Sequence, residues 1–462
     1  MSSDKDMIAR IKQQAAERER LRRKQGGEGG ADNTAPLSQK AEERIQAPEY
    51  IPQPPKTIAE TGLNDTFVMN LVMKTIFNRG TIEAMQIADE MHLEFSVIEE
   101  ALGKIRGAQL AQTEGGSAAF GGVKLRWSLT DKGVERANEV LKRDNYRGPA
   151  PVPFSEYVKQ LKRQSIKNYT VTPEMVETAF SRLVLNPQVP KRIGPAINSG
   201  RSIFLYGPPG NGKTSLAECI TDTIGGAIFV PHALIIENEI VRVYDDLYHK
   251  VIPQDEFTHD ARWVYSKRPV VVVGGELTLN MLDLTWSGAA TYYEAPFQVK
   301  ANSGVLFIDD FGRQHCEPQE LLNRWIVPLE SGFDFMAFKT GGKAKVPFDS
   351  LIVFSTNLDP KELVDEAFLR RIRYKIEVGD PSEEHFKKIF EIMCRVRDIA
   401  YDEKIVDYLI EKHYKANNRC FRACQPRDLL DQMVDIQKYT KSMPELTEDV
   451  IDQLCELYFV EL

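Results

Sequence analysis

The stretch Ser202-Ile203-Phe204-Leu205-Tyr206-Gly207-Pro208-Pro209-Gly210-Asn211-Gly212-Lys213-Thr214-Ser215 runs from apolar residues through a glycine-rich turn and continues as Leu216-Ala217-Glu218-Cys219-Ile220. The first five residues are β-branched and aromatic enough for a buried strand, and the residues after Thr214 have helical character. Between them, residues 207–214 fit the pattern G-x-x-x-x-G-K-[ST]. Glycines let backbone N–H groups approach a phosphate, and a helix N-terminus favours negative charge. Lys213 reaches the β- and γ-phosphates, and the Thr214 hydroxyl can ligate Mg²⁺. A turn that carries Lys-Thr by chance would not need a strand before it and a helix after it. The reading is therefore a nucleoside-triphosphate site made by Gly207, Pro208, Pro209, Gly210, Asn211, Gly212, Lys213, Thr214 and Ser215.

Working outward, about 90 residues later comes Gly304-Val305-Leu306-Phe307-Ile308-Asp309-Asp310, an apolar run ending in two carboxylates. A buried parallel strand delivers its C-terminal residues to the crevice where α/β sheets bind ligands. Asp309 can thus join the Mg²⁺ shell while Asp310 orients an attacking water. A third run, Leu351-Ile352-Val353-Phe354-Ser355-Thr356-Asn357, ends in an amide suited to water or phosphate, although Asn after a strand is commonly turn chemistry.

The chain has 462 residues, more than one core usually holds, so two or three domains are expected. A net charge of -8 and a pI near 5.6 argue against a protein that coats nucleic acid. Cys219, Cys316, Cys394, Cys420, Cys424 and Cys455 read as reduced thiols of a cytoplasmic chain. Cys420 and Cys424 would share a helical face, but nothing nearby completes four zinc ligands. No apolar run reaches the ~18 residues that span a bilayer.

Residues 1–60 read as a disordered tail, charged at first and then rich in Gly, Pro and Gln. Residues 61–147 alternate into three helical stretches, at 66–77, 82–91 and 96–107, followed by a strand pair at 110–112 and 124–129 and a further helix from 131. This order resembles a winged helix, and Leu129-Thr130-Asp131-Lys132-Gly133 resembles the end of the wing. A DNA reader needs cations on the helix that enters the groove, whereas this span carries 11 Lys and Arg against 12 Asp and Glu. A protein-binding adaptor is the favoured reading over a DNA reader. Residues 148–172 begin Gly148-Pro149-Ala150-Pro151-Val152-Pro153 and read as a semi-rigid linker.

The three strand motifs in this order, with Ala367-Phe368-Leu369-Arg370-Arg371 and Gln425-Pro426-Arg427-Asp428-Leu429, resemble an AAA+ ATPase over about 172–462. The resemblance implies the Walker A loop at 207–214, Walker B acids Asp309 and Asp310, and sensor 1 at Asn357. It further implies arginine fingers at Arg370 and Arg371 and a sensor 2 arginine at Arg427 on the lid. Ligands would be ATP and Mg²⁺, with Thr214 and Asp309 on the metal, and the assembly a homo-oligomeric ring, a hexamer by the family pattern. Most members have Glu where this chain has Asp310, which puts the rate of hydrolysis in question. The order from Ala301 to Asp309, then Leu321-Leu322-Asn323-Arg324 and Leu329-Glu330-Ser331-Gly332, is similar to the branch holding MoxR-type proteins and enhancer-binding activators. The strand and aromatic residues at 268–298 read equally as a partner-contacting insertion or as core packing.

The expected fold class is therefore α/β: an AAA+ P-loop NTPase parallel sheet at 173–379 with a helical lid at 380–462. A small winged-helix-like α+β domain precedes it. The expected function is ATP-driven remodelling of a macromolecular partner recruited by the N-terminal domain; the alternative is a nucleotide-gated DNA-binding switch.

Overall fold

The structure, a computed structural model, describes residues 50–114, 125–254, 256–288, 291–363, 370–440 and 445–459. Most of the expected tail, the expected wing tip at 115–124 and part of the segment leading to Arg370 lie outside these residues.

Five short apolar runs make a parallel sheet: β1 (Ile203–Tyr206), β2 (Val270–Val273), β3 (Val305–Ile308), β4 (Leu351–Thr356) and β5 (Tyr374–Glu377). Their order across the sheet is β2-β3-β4-β1-β5, with Val353 opposite Ile203 and Val305 opposite Leu351. Burial follows position. Every residue of β3 and β4 is buried, as expected where both faces are covered, while Val272 on edge strand β2 is 44% exposed. Alternate residues of β1 serve opposite faces: Ile203 and Leu205 pack with Leu216 and Ile220 of the helix Lys213–Ile224, whereas Phe204 packs with Leu321, Leu322 and Trp325 of the helix Pro318–Ser331. Val270–Val273 is thus an integral sheet strand.

A second five-stranded sheet lies outside this layer. It takes Val152–Pro153, Ala233–Ile236, Glu239–Arg242, Tyr292–Glu294 and Thr285–Ser287, in that spatial order. The aromatic part of 268–298 therefore pairs as strands: Trp286 stands opposite Tyr293, which is 1% exposed. The expected linker is folded too. Pro153 caps the helix Phe154–Arg163, and Tyr157 on that helix is buried, its hydroxyl accepting from Asn302 Nδ2 at 2.9 Å. Prolines suit this edge position because an edge strand can spare a donor.

The N-terminal body contains helices Asp65–Arg79, Ala84–Met91, Phe95–Gly107 and Asp131–Arg143, with strands Thr81–Glu83, Arg126–Leu129 and Ala111–Glu114 antiparallel in that spatial order. Gly133 is required: a Cβ there would lie 1.9 Å from the carbonyl oxygen of Leu110. Residues 50–60, expected in the tail, are folded. Ile58 is fully buried and donates its N–H to Glu100 of the third helix at 2.9 Å.

This body is fastened to the second sheet. Its apolar core runs on into Ala150, Ala233 and Ile240, and the buried Arg262, paired with Asp260 at 2.8 Å, donates to the carbonyl of Thr61 at 2.9 Å. At the same junction the rings of His92 and His232 meet edge-on at 4.7 Å, and the Tyr244 ring also lies against His232 at 5.1 Å. Burial, with His92 and Arg242 adding repulsion, pulls the His232 pKa down to about 3. A folded value below the unfolded one means stability that is complete above about pH 6.5 and lost as pH falls toward about 3. Between about pH 7.5 and about pH 5 the loss from this group alone should be about 2 kcal/mol. Chemical denaturation at both pH values should show the parent losing more stability than His232→Asn by that amount. Equal losses would mean that His232 is protonated freely in the folded chain.

The C-terminal helices Glu383–Val396, Glu403–Leu409, Gln425–Thr440 and Glu448–Tyr458 form a separate apolar cluster around Phe386, Tyr414 and Leu454. The second continues as a π-helical turn, Ile410–Lys415.

Candidate active site

Parallel pairing brings the C-terminal ends of β1, β3 and β4 to one edge, so the three motifs read from the sequence meet there. The loop after β1 turns at Gly207, whose φ of 139° puts a hypothetical Cβ 2.4 Å from the carbonyl oxygen of Val378. Gly210, at φ 80°, leaves the same small space beside Cys424 Sγ. Gly212 caps the helix that Lys213 begins, and Ser215 is half-buried in its first turn.

Lys213 is only 7% exposed, and its ammonium donates to the carbonyls of Gly207 and Pro208, both at 2.9 Å, and to Asn357 Oδ1 at 2.6 Å. Burial lowers its pKa, and the charges of Asp309 and Asp310 oppose that shift. Thr214 Oγ1 donates to Asp309 Oδ2 at 3.0 Å. Asn357 Nδ2 donates to Asp310 Oδ1 at 2.8 Å. Asn357 therefore joins the lysine to the second aspartate, and the loop, both acids and the amide form one connected group.

The pairing of Thr214 with Asp309 tests the fit of a metal. A hydroxyl and a carboxylate oxygen side by side are hard donors of the kind Mg²⁺ takes, and Mg²⁺ usually draws its remaining ligands from water and phosphate. Among the described residues no group of three or more His, Cys, Asp or Glu could hold a metal ion by itself. The residues present fit Mg²⁺ carried with a nucleotide.

The lid closes one side of the loop. Cys424 N donates to the carbonyl of Gly210 at 2.8 Å, Ala423 N to Asn211 Oδ1 at 3.1 Å, and Asn211 Nδ2 to Asp380 Oδ1 at 2.8 Å. Arg422 pairs with the same Asp380 carboxylate, and its charge bears on Lys213. Arg427, expected to reach the phosphate, pairs with Asp428 at 2.8 Å on a largely exposed side chain. Arg422 and Asp380 were missed in the sequence. The only local signal was a cation just ahead of the helix that starts at Gln425. Cys420 and Cys424 are free thiols.

Arg370 and Arg371 stand apart from this group. β5 runs parallel to β1 with Tyr374 opposite Ile203 and Glu377 opposite Tyr206, so residues before Tyr374 lie toward the end of the sheet opposite the loop. Arg371 Nε meets Glu330 Oε1 at 2.6 Å.

A family model described as a domain of unknown function (DUF8689) matches residues 382–457, the lid. The chain is similar to spastin of Danio rerio, 24% identical over 221 residues, which cover 47% of this chain and 30% of spastin. It is also similar to the 26S proteasome subunit RPT4 of Saccharomyces cerevisiae, 43% identical over 56 residues, 12% of each chain. The matches thus span less than a third of either relative. Among solved structures, the Thermotoga maritima RuvB Holliday junction branch migration motor is similar at 15% identity and a TM-score of 0.36, over 59% of this chain and 70% of that one. Spastin and RPT4 are AAA+ ATPases, and the sheet found here carries the phosphate loop, the paired acids and the polar amide at the ends of adjoining strands; together these findings support the resemblance to an AAA+ P-loop ATPase.

Proposed function

We propose that this chain is a Mg²⁺-dependent ATPase that couples ATP turnover to the remodelling of a macromolecular partner. The observation that carries this reading is the connected group of Lys213, Asn357, Asp310, Asp309 and Thr214. Lys213 and the loop amides bind phosphate, and Thr214 and Asp309 hold the metal, which supplies charge neutralisation at the phosphates. Asp310, steadied by Asn357, orients a water for attack. Arg370 and Arg371, toward the opposite end of the sheet, are assigned to a neighbouring subunit's nucleotide in a homo-oligomeric ring, a hexamer in this reading. Arg422 and Arg427 on the lid are the candidates for sensing the nucleotide from the same chain. Six free thiols accord with a cytoplasmic location, and among the described residues no helix is long and apolar enough to cross a membrane.

The N-terminal body is read as a winged-helix-like adaptor for a protein partner, on a chain of the MoxR-like and enhancer-activator branch. Its third helix is poorly disposed for a DNA groove, since Ser96 Oγ donates to the carbonyl of Lys56 and Glu100 is taken by Ile58 and Lys104. The test is phosphate release and native mass of the full chain with ATP. Release should require Mg²⁺ and stop on chelation, and the 52.4 kDa subunit should appear as a multiple under turnover. Release that survives chelation, or turnover by a monomer, contradicts the reading. Tight sequence-specific duplex binding at ~150 mM salt would favour the DNA-gated switch instead.

A further inference from the structure

Asp310 has a backbone φ of 46°, in the left-handed region that side chains seldom adopt. Its conformation decides where its carboxylate points, so something must hold the turn after β3. Gln314 does so with one side-chain amide. Its Nε2 donates to the carbonyl of Asp309 at 2.9 Å and to that of Asp310 at 3.2 Å, while its Oε1 accepts from Gly312 N at 2.8 Å. Phe311 N, donating to the carbonyl of Ser355 at 2.7 Å, ties the same turn to β4. Gln314 thereby partners three backbone groups of residues 309–312, alongside Arg313 N, which also donates to the Asp310 carbonyl at 2.9 Å.

We infer that Gln314 is a positioning residue for hydrolysis, fixing Asp310 so that its carboxylate faces Asn357 and the attacking water. The inference rests on the ATPase reading of the site. The hydrogen bonds of the Gln314 side chain all go to backbone groups of residues 309–312, and the residue is half-buried beside an open crevice of about 520 Å³ between residues 278–280 and 312–320, so replacing it leaves the main core packed. The consequence falls on turnover and spares binding. Losing the clamp lets the turn relax toward ordinary φ values, which misaims Asp310 and leaves Lys213 and the loop in place.

The experiment measures steady-state turnover and ATP-analogue affinity of the full chain, parent against Gln314→Ala and Gln314→Glu. Gln314→Ala should lower kcat by ~10-fold or more with affinity within about twofold of the parent. Gln314→Glu keeps length and the acceptor for Gly312 but, ionised, faces two carbonyl oxygens without a proton to give. Two facing carbonyl oxygens raise the pKa of that carboxyl above the usual ~4.3, so turnover relative to the parent should be low near about pH 8 and recover as pH is brought down toward about 5, when the carboxyl gains a proton and donates again. Unchanged kcat in Gln314→Ala overturns the inference. So does an equal loss of affinity and kcat, which would mark a residue that only holds the fold, or a pH profile of Gln314→Glu parallel to that of the parent. A parent chain that binds ATP without turning it over would instead remove the ATPase reading, and the positioning role with it.

Discussion

Lys213→Ala should lose ATP affinity by about 10²-fold to 10³-fold. The ammonium sits in a mostly buried pocket, where a unit charge about 4 Å from a phosphate is worth about 4 kcal/mol at an intermediate effective dielectric. Part of that gain is offset, because the ammonium gives up bonds to the carbonyls of Gly207 and Pro208 and to Asn357 Oδ1 when it turns to phosphate. The truncation also leaves those carbonyls without their donor, so the loop itself loosens. Titration with a fluorescent ATP analogue measures the effect. Unchanged affinity would show that residues 207–214 are not the phosphate cradle.

The central sheet and its site were legible because their signals are local. A glycine-rich loop between a strand and a helix, and apolar runs ending in Asp309-Asp310 and Asn357, each state their chemistry within ten residues or so. Parallel pairing then follows from burial on both faces, and the observed order brings the three ends together. What could not be read depends on partners far along the chain. Val152 pairs with Leu234 and Tyr293 with Val241, so a proline-rich stretch taken as a linker and an aromatic stretch taken as a possible insertion become strands of one sheet. Strands of two to four residues have too little periodicity to declare themselves.

The lid arginines make the same point at the site. Arg427 stands where the sequence resemblance implies a sensor arginine, but its guanidinium pairs with its own neighbour Asp428. Arg422, five residues earlier, is brought to the loop by the pairing of Cys424 with Gly210 and shares Asp380 with Asn211. No spacing rule distinguishes them. The distinction comes from how the lid seats on the phosphate loop.

Asp310 is where the sequence departs from the usual Glu, and its consequence is the sharpest question about this site. The shorter carboxylate is carried on a left-handed residue and held by Asn357 Nδ2, an arrangement that fixes its direction without the extra methylene. Asp310→Asn is nearly isosteric and keeps an oxygen for Asn357, so binding through Lys213 and Thr214 should persist. What disappears is the negative charge that orients and polarises water, and turnover should fall by ~10²-fold or more. Mg²⁺-dependent phosphate release by the parent and by Asp310→Asn, each at saturating ATP with affinity determined alongside, is the most direct measurement. A parent that turns over and a variant that binds equally well but is slowed by that factor is the predicted result; a variant that releases phosphate at the parental rate would contradict the assignment of this site as the hydrolytic centre.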